Sequence, residues 1–157
     1  MPDTIPAARI AQATGRAAPA EDLALAGFAA LYLDFLRATM EADDPAAHPL
    51  VWTYALFSDL AEGAPALALD AVLACLARCE TAEEVAFLAA GPLEDLIAEN
   101  GAAVIDRIEA EAVENPRMRF ALSGVWPPDG GPALFWARVR AARGTGPDID
   151  RGDPLPG

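Results

Sequence analysis

The sequence predicts an all-α fold, and three observations carry that prediction. Alanine alone is about a quarter of the 157 residues, and alanine is the strongest helix former. β-branched residues, which favour strands, are scarce. Apolar residues recur at three- and four-residue spacing between breaks marked by proline, glycine and asparagine, and no strand signal survives. A chain of this length reads as one domain. It can bury roughly 70% of its unfolded surface, enough to fold without a disulfide or a metal. The hydrophobic fraction of 54% supports a real core.

Residues 1–19 hold Pro2, Pro6 and Pro19 with few large apolar side chains, and read as a mobile N-terminal arm. The helical domain is expected over residues 20–142. Its first helix begins after Pro19, where Glu21 and Asp22 suit a helix N-terminus. Phe28, Leu31, Tyr32 and Phe35 form its apolar stripe, and Asp43-Asp44-Pro45 ends it. A second helix is expected from His48-Pro49, with Trp52, Leu56 and Leu60 inward and Gly63 as its stop. A third runs from about Ala64 to Cys79, with Leu69, Val72, Leu73 and Leu76 inward and Asp70, Arg78 and Glu80 solvated. Thr81 and Glu84 form a capping box for a short helix that Gly91 ends. Pro92 starts the next, with Leu93, Leu96 and Ile97 buried and Asn100-Gly101 as its close. A longer helix then buries Val104, Ile105, Ile108 and Ala112. Asn115-Pro116 breaks it and opens a helix with Met118, Phe120, Leu122 and Val125. After the turn-rich loop Pro127–Pro132, a last helix covers Ala133 to about Ala142. Residues 143–157 read as a disordered acidic tail rich in proline and glycine. The expected architecture is a compact antiparallel array of about six to eight short helices, stacked helical hairpins being one arrangement of that kind.

The formal net charge is −13, and all eleven basic residues are arginines. Nucleic-acid binding needs phosphate-neutralising cations gathered on one face, so neither nucleic acid nor an acidic membrane is expected as a partner. A protein with a basic surface fits the charge. No apolar run reaches the roughly 18 residues that span a bilayer, and the N-terminus lacks the pattern of a secretory signal. Cys75 and Cys79 read as small buried apolar residues, without a histidine or third cysteine nearby to complete a zinc site. A cytoplasmic location is expected from these features.

The stretch Ala90–Trp126 carries most of the helix punctuation and charge pattern. Within it, Gly91-Pro92-Leu93-Glu94-Asp95-Leu96, Gly101, Ile105, Ile108, Glu109, Ala112, Pro116, Arg119, Leu122 and Val125-Trp126 form one combination. With Trp52 upstream and Trp136 and Arg138 downstream, this combination resembles a bacterial family of small proteins known only as a domain of unknown function. The resemblance spans roughly residues 48–140, and members of that family often carry histidine where this chain has Asn100. It implies a fold and a boundary, and no reaction.

Few residues suggest chemistry. Glu94 and Asp95 stand in the first turn of a helix, where acids complement the macrodipole by about 0.3–1 kcal/mol each. Consecutive helix positions point about 100° apart, so the two do not converge on one atom. Arg117 and Arg119 are expected to reach Glu94. If such a pair is buried, losing one partner costs about 3–5 kcal/mol; if it is exposed, almost nothing. His48, the single histidine, reads as a cap, and neither Ser58 nor Ser123 stands in a nucleophile elbow. Without lysine there is no Walker or Schiff-base lysine. The tail Asp148–Asp153 lacks the glutamate that would complete a calcium loop. Trp52, Trp126 and Trp136 either plug the core ends or form an interface.

The candidate binding residues are therefore Glu94, Asp95, Arg119, Trp126 and Trp136; no catalytic residue, metal ligand or cofactor is assigned. The leading functional expectation is a small acidic interaction module, an immunity-like or antitoxin-like partner of a basic protein. The alternatives are a hydrolase or metal-dependent enzyme using helix-borne carboxylates, and a structural homodimer.

Overall fold

A computed structural model describes residues 3–157. The chain runs through β1 (Thr4–Ile5), α1 (Ala7–Thr14), β2 (Leu23–Ala24), α2 (Leu25–Thr39), a 3₁₀ turn (Pro45–Ala47), α3 (Trp52–Gly63) and α4 (Pro65–Arg78). It continues through α5 (Ala82–Leu88), a π turn (Ala89–Leu93), α6 (Glu94–Glu114), α7 (Pro116–Leu122) and α8 (Ala133–Arg143). The fold is an array of helices, with one minimal sheet in which β1 and β2 pair antiparallel, Thr4 opposite Ala24 and Ile5 opposite Leu23. Among the described residues, no helix is long and apolar enough to cross a membrane.

The helices bury the stripes that their spacing dictates. On α2, Phe28, Tyr32 and Phe35 face inward, where Phe28 and Tyr32 meet the Phe57 ring of α3 edge-on at 5.0 and 4.8 Å between centroids. α3 and α4 are joined through Ala64 alone and pack on each other, Pro65 serving as the first residue of α4. Leu69, Val72, Cys75 and Leu76 of α4 are fully buried where α4 meets α2 and α6. α8 closes over α6 and α7. Gly101 permits that closure, since a Cβ at this position would collide with the Phe135 ring.

Of the two expected breaks in the central segment, one is absent and one is present. Gly91 and Pro92 do not separate two helices. They lie inside the π turn, which leads directly into α6. Proline lacks an N–H and crowds the carbonyl one turn back, and a single wide turn absorbs both defects without ending the helix. At Asn100, as its pairing with Gly101 predicts, the helical path is broken: with φ −142° and ψ 34° the residue joins two helical stretches of α6 across a kink. Its side-chain amide donates to the carbonyls of Ala61 at 2.6 Å and Glu62 at 3.0 Å. Those carbonyls belong to the last turn of α3, which has no partner for them within its own helix. The kink is thus held by a tertiary contact.

The ends differ from expectation as well. Residues 1 and 2 of the expected arm lie outside the described residues. The rest is packed: Ile5 and Ile10 are buried, and α1 sits on α3. Asp22, expected to begin its own helix, instead accepts the N–H of Ala7 at 2.9 Å, the first residue of α1. α2 starts only at Leu25. The C-terminal segment is also folded back. Ser123 Oγ accepts the Ile149 N–H at 2.9 Å, and Asp153 accepts the Asp148 N–H, also at 2.9 Å. Asp148 is buried and paired with Arg143, and Ile149 and Leu155 pack against the core. Packing therefore continues past both boundaries expected at 19 and 143. The glycines and prolines that read as disorder build a turn, and its amides find acceptors.

Ion pairs add long-range ties. Asp70, expected to be solvated, is largely buried and pairs with Arg107 of α6 at 2.7 Å. Thr81 Oγ1 accepts the Glu84 N–H at 3.1 Å, as a capping box requires. The Glu84 carboxylate does more than close that box. It accepts the Glu80 N–H at 2.6 Å and is gripped by Arg37 of α2 through Nε at 2.6 Å and Nη2 at 3.3 Å.

Candidate functional site

The second half of α2 carries Tyr32, Phe35 and Leu36 along one face. Asp44-Pro45 turns the chain away from α2, and it returns along α3, presenting Val51 and Tyr54. α5 and the π turn supply a third wall with Phe87, Ala90 and Gly91. Between these walls lies an open groove of about 520 Å³. Its surface is almost wholly apolar, and no arginine lines it.

Three features distinguish the groove from an ordinary packing gap. First, Tyr54 and Phe87 are 46% and 42% exposed at its edge, although both are large aromatics. Second, one carboxylate lines it and others stand close by in the sequence. Asp44 lines it, Glu41 and Asp43 share its loop, and Glu83 lies one helical turn before Phe87. None of these four is in an ion pair with an arginine among the described residues. Third, Tyr32 lines the groove while only 2% exposed, and its hydroxyl has no hydrogen-bond partner among the described residues. Burial, with Cys75, Tyr54, Cys79 and Asp95 adding to it, holds the Tyr32 pKa far above the usual range. The hydroxyl stays neutral and able both to donate and to accept.

The five candidate residues do not form one site. Glu94 Oε2 accepts the Trp126 N–H at 3.2 Å, tying the start of α6 to the chain after α7. Trp126 is 61% exposed, whereas Trp136 is buried and packs edge-on against Phe135. Both tryptophans line a small cleft of about 180 Å³. Arg119 lies at the other end of α6, donating to the carbonyls of Ala112 and Val113. Arg117 donates to Leu76 and Cys79, each at 2.8 Å, at the end of α4. The expected approach of these arginines to Glu94 is thus corrected: orphan carbonyls at two helix C-termini claim them.

Asp95 is half-buried. Burial raises its carboxyl pKa above the usual value of 3.8, and Glu94 and Glu99 push in the same direction. A raised folded-state pKa means that the charged form costs stability, and the cost appears as pH rises from 3.8 through the raised value. Asp95→Asn is accordingly expected to raise the melting temperature at pH 7, with the gain vanishing below pH 3.8. Equal gains at both pH values in parallel thermal melts contradict this assignment.

Other reactive side chains are occupied or sealed. His48 Nδ1 accepts the Leu50 N–H at 3.1 Å, so the ring caps a turn ahead of α3. Cys75 and Cys79 are free and buried; burial pushes the Cys75 thiol far up and the Cys79 thiol to about 11. Among the described residues no three histidine, cysteine or acidic side chains gather in a metal-binding arrangement. The groove residues themselves were not among the sequence candidates. The signal was present but weak: Tyr54 and Phe87 are large aromatics that fall off the apolar stripes of two short helices.

A model of a protein family of unknown function, DUF6869, matches residues 40–146, more than half of the chain. The chain belongs to this family. No curated protein and no solved structure matches it. The DUF6869 match encloses α3 to α8 and contains the Gly91–Leu96 motif, Asn100, Trp126 and Trp136. It begins at Met40, so two walls of the groove lie within the family region and the α2 wall is contributed by residues before it.

Proposed function

We propose that this DUF6869 protein is an interaction module that binds a basic surface of another protein. The carrying observation is how the arginines are used. Arg9, Arg37, Arg107, Arg138, Arg143 and Arg151 are engaged in ion pairs within the chain. Arg117 and Arg119 hold helix-end carbonyls, and Arg16 lies over the Trp52 ring at 5.4 Å. Most of the cations are thus engaged within the chain, Arg78 and Arg140 being exposed without an ion pair among the described residues, and exposed acids such as Asp34, Glu41, Asp43, Asp44, Glu62, Glu83, Glu99 and Glu114 also stand without ion-pair partners there. An outward field of one sign speeds encounter with a partner of the other sign and rejects like-charged ones. Free, buried thiols suit a reducing cytoplasm as the working compartment.

Affinity capture from the host lysate at low and high salt, read by mass spectrometry, tests this reading. The expected result is a basic protein retained at low salt and released at high salt. Retention of no protein at either salt overturns it. A self-association reading rests on a separate observation, the exposed Trp126 and Leu134 side chains. It predicts twice the monomer mass in light scattering, and a monomer at every concentration removes it.

A further inference from the structure

We propose that the groove between α2, α3 and the α5–α6 junction receives the apolar face of a basic amphipathic helix. This rests on the interaction-module reading and gives it a site and an occupant. The apolar walls and the half-exposed Tyr54 and Phe87 rings give the groove affinity for apolar side chains. Asp44 in the lining, with exposed Glu41 and Asp43 in its loop, Glu83 one helical turn before Phe87 and no arginine among the lining residues, favours lysine and arginine beside those anchors.

The backbone decides the form of the segment. The walls are mostly helical, and helices keep their N–H and C=O groups for themselves. An extended peptide laid against them would bury its own backbone polar groups without partners, at a cost for each. A helix satisfies its backbone internally and presents only side chains, the usual logic of helix-in-groove recognition. A second copy of this chain is disfavoured as occupant by its own charge of −13.

The test uses the full chain and two labelled peptides of identical composition, made of arginine, leucine and one central tryptophan and about five helical turns long. One peptide places its apolar residues at helical spacing; the other disperses them. Fluorescence anisotropy is expected to show the amphipathic peptide binding at least about tenfold tighter. Phe87→Glu is the decisive variant. It adds negative charge while removing the apolar rim, so simple charge attraction strengthens and groove docking weakens. The expected result is loss of the preference between the two peptides. Ala46→Phe, which adds bulk to another lining position of the groove, is expected to do the same and serves should Phe87→Glu fail to fold. Equal binding of the two peptides by the unaltered protein overturns the groove proposal, as does an undiminished preference in both variants; either leaves the module reading standing. Binding of neither peptide at low salt overturns both.

Discussion

Leu96→Ala is expected to destabilise the fold by about 2–5 kcal/mol, measured as a lower urea midpoint with an unchanged slope. Leu96 is fully buried on the first full turn of α6, the helix that packs against α3, α4, α7 and α8. The cost of such a truncation has two parts, the lost transfer energy of the deleted atoms and the cavity they leave. Here the cavity has little means of closing. The preceding π turn is pinned by the buried Pro92 and Leu93, and the following kink is pinned by Asn100 on the end of α3. A segment held at both sides cannot slide inward, which places the expected loss in the upper half of the range. Against a typical net stability of about 5–15 kcal/mol, that is a large fraction. An unchanged midpoint means that this turn of α6 does not face the core.

The elements that were legible in the sequence are those whose signal is local. The α4 stripe of Leu69, Val72 and Leu76, the Thr81 cap and the Asn115-Pro116 start all depend on residues within one or two turns. Legibility failed where distant residues decide the outcome. Asn100-Gly101 announces the break that kinks α6, but the sequence does not show that Asn100 gives its amide to α3 or that Gly101 makes room for Phe135 of α8. The opening and closing segments looked too poor in apolar residues to fold. A few anchors, Ile5 and Ile10 buried and Ile149 and Leu155 partly buried, dock them on surfaces assembled from other elements. A scan along the chain does not see those surfaces.

The site followed the same division. Glu94 and Asp95 stood out because adjacent acids at a helix start are conspicuous in one dimension. In three dimensions Glu94 is engaged by the Trp126 N–H, and the arginines expected beside it have gone to helix ends. The groove is assembled from residues more than fifty positions apart, Tyr32 and Phe35 on one wall and Phe87 on another. None of its members is unusual by itself. Its character lies in what is missing around it, a partner for one hydroxyl and a cation for several carboxylates.

Arg37→Met is expected to cost about 2–3 kcal/mol at pH 7, a little below the range for fully buried pairs because Arg37 keeps contact with solvent. Methionine retains an apolar stem but strands the Glu84 carboxylate, which is 4% exposed. Glu84→Gln is expected to cost less, since Arg37 can turn to Glu80, 3.7 Å away, and to water. The pH dependence separates charge from packing. Burial alone would raise the Glu84 pKa; Arg37 and the N–H groups of Glu80 and Thr81 outweigh it and hold the carboxyl below its ordinary 4.5. A depressed folded-state value contributes stability that is complete above pH 4.5 and is lost as pH falls through the depressed value. The unaltered protein therefore loses this contribution in acid. In Arg37→Met the carboxylate has lost its counter-charge, burial weighs more heavily, and protonation relieves a strain rather than breaking a bond. The stability gap between the two proteins should then narrow as urea melts are taken from pH 7 toward pH 3, through the ordinary glutamate range. A gap that stays constant across that window assigns the loss to the packing of the arginine stem and removes the ion pair as the tie between α2 and α5.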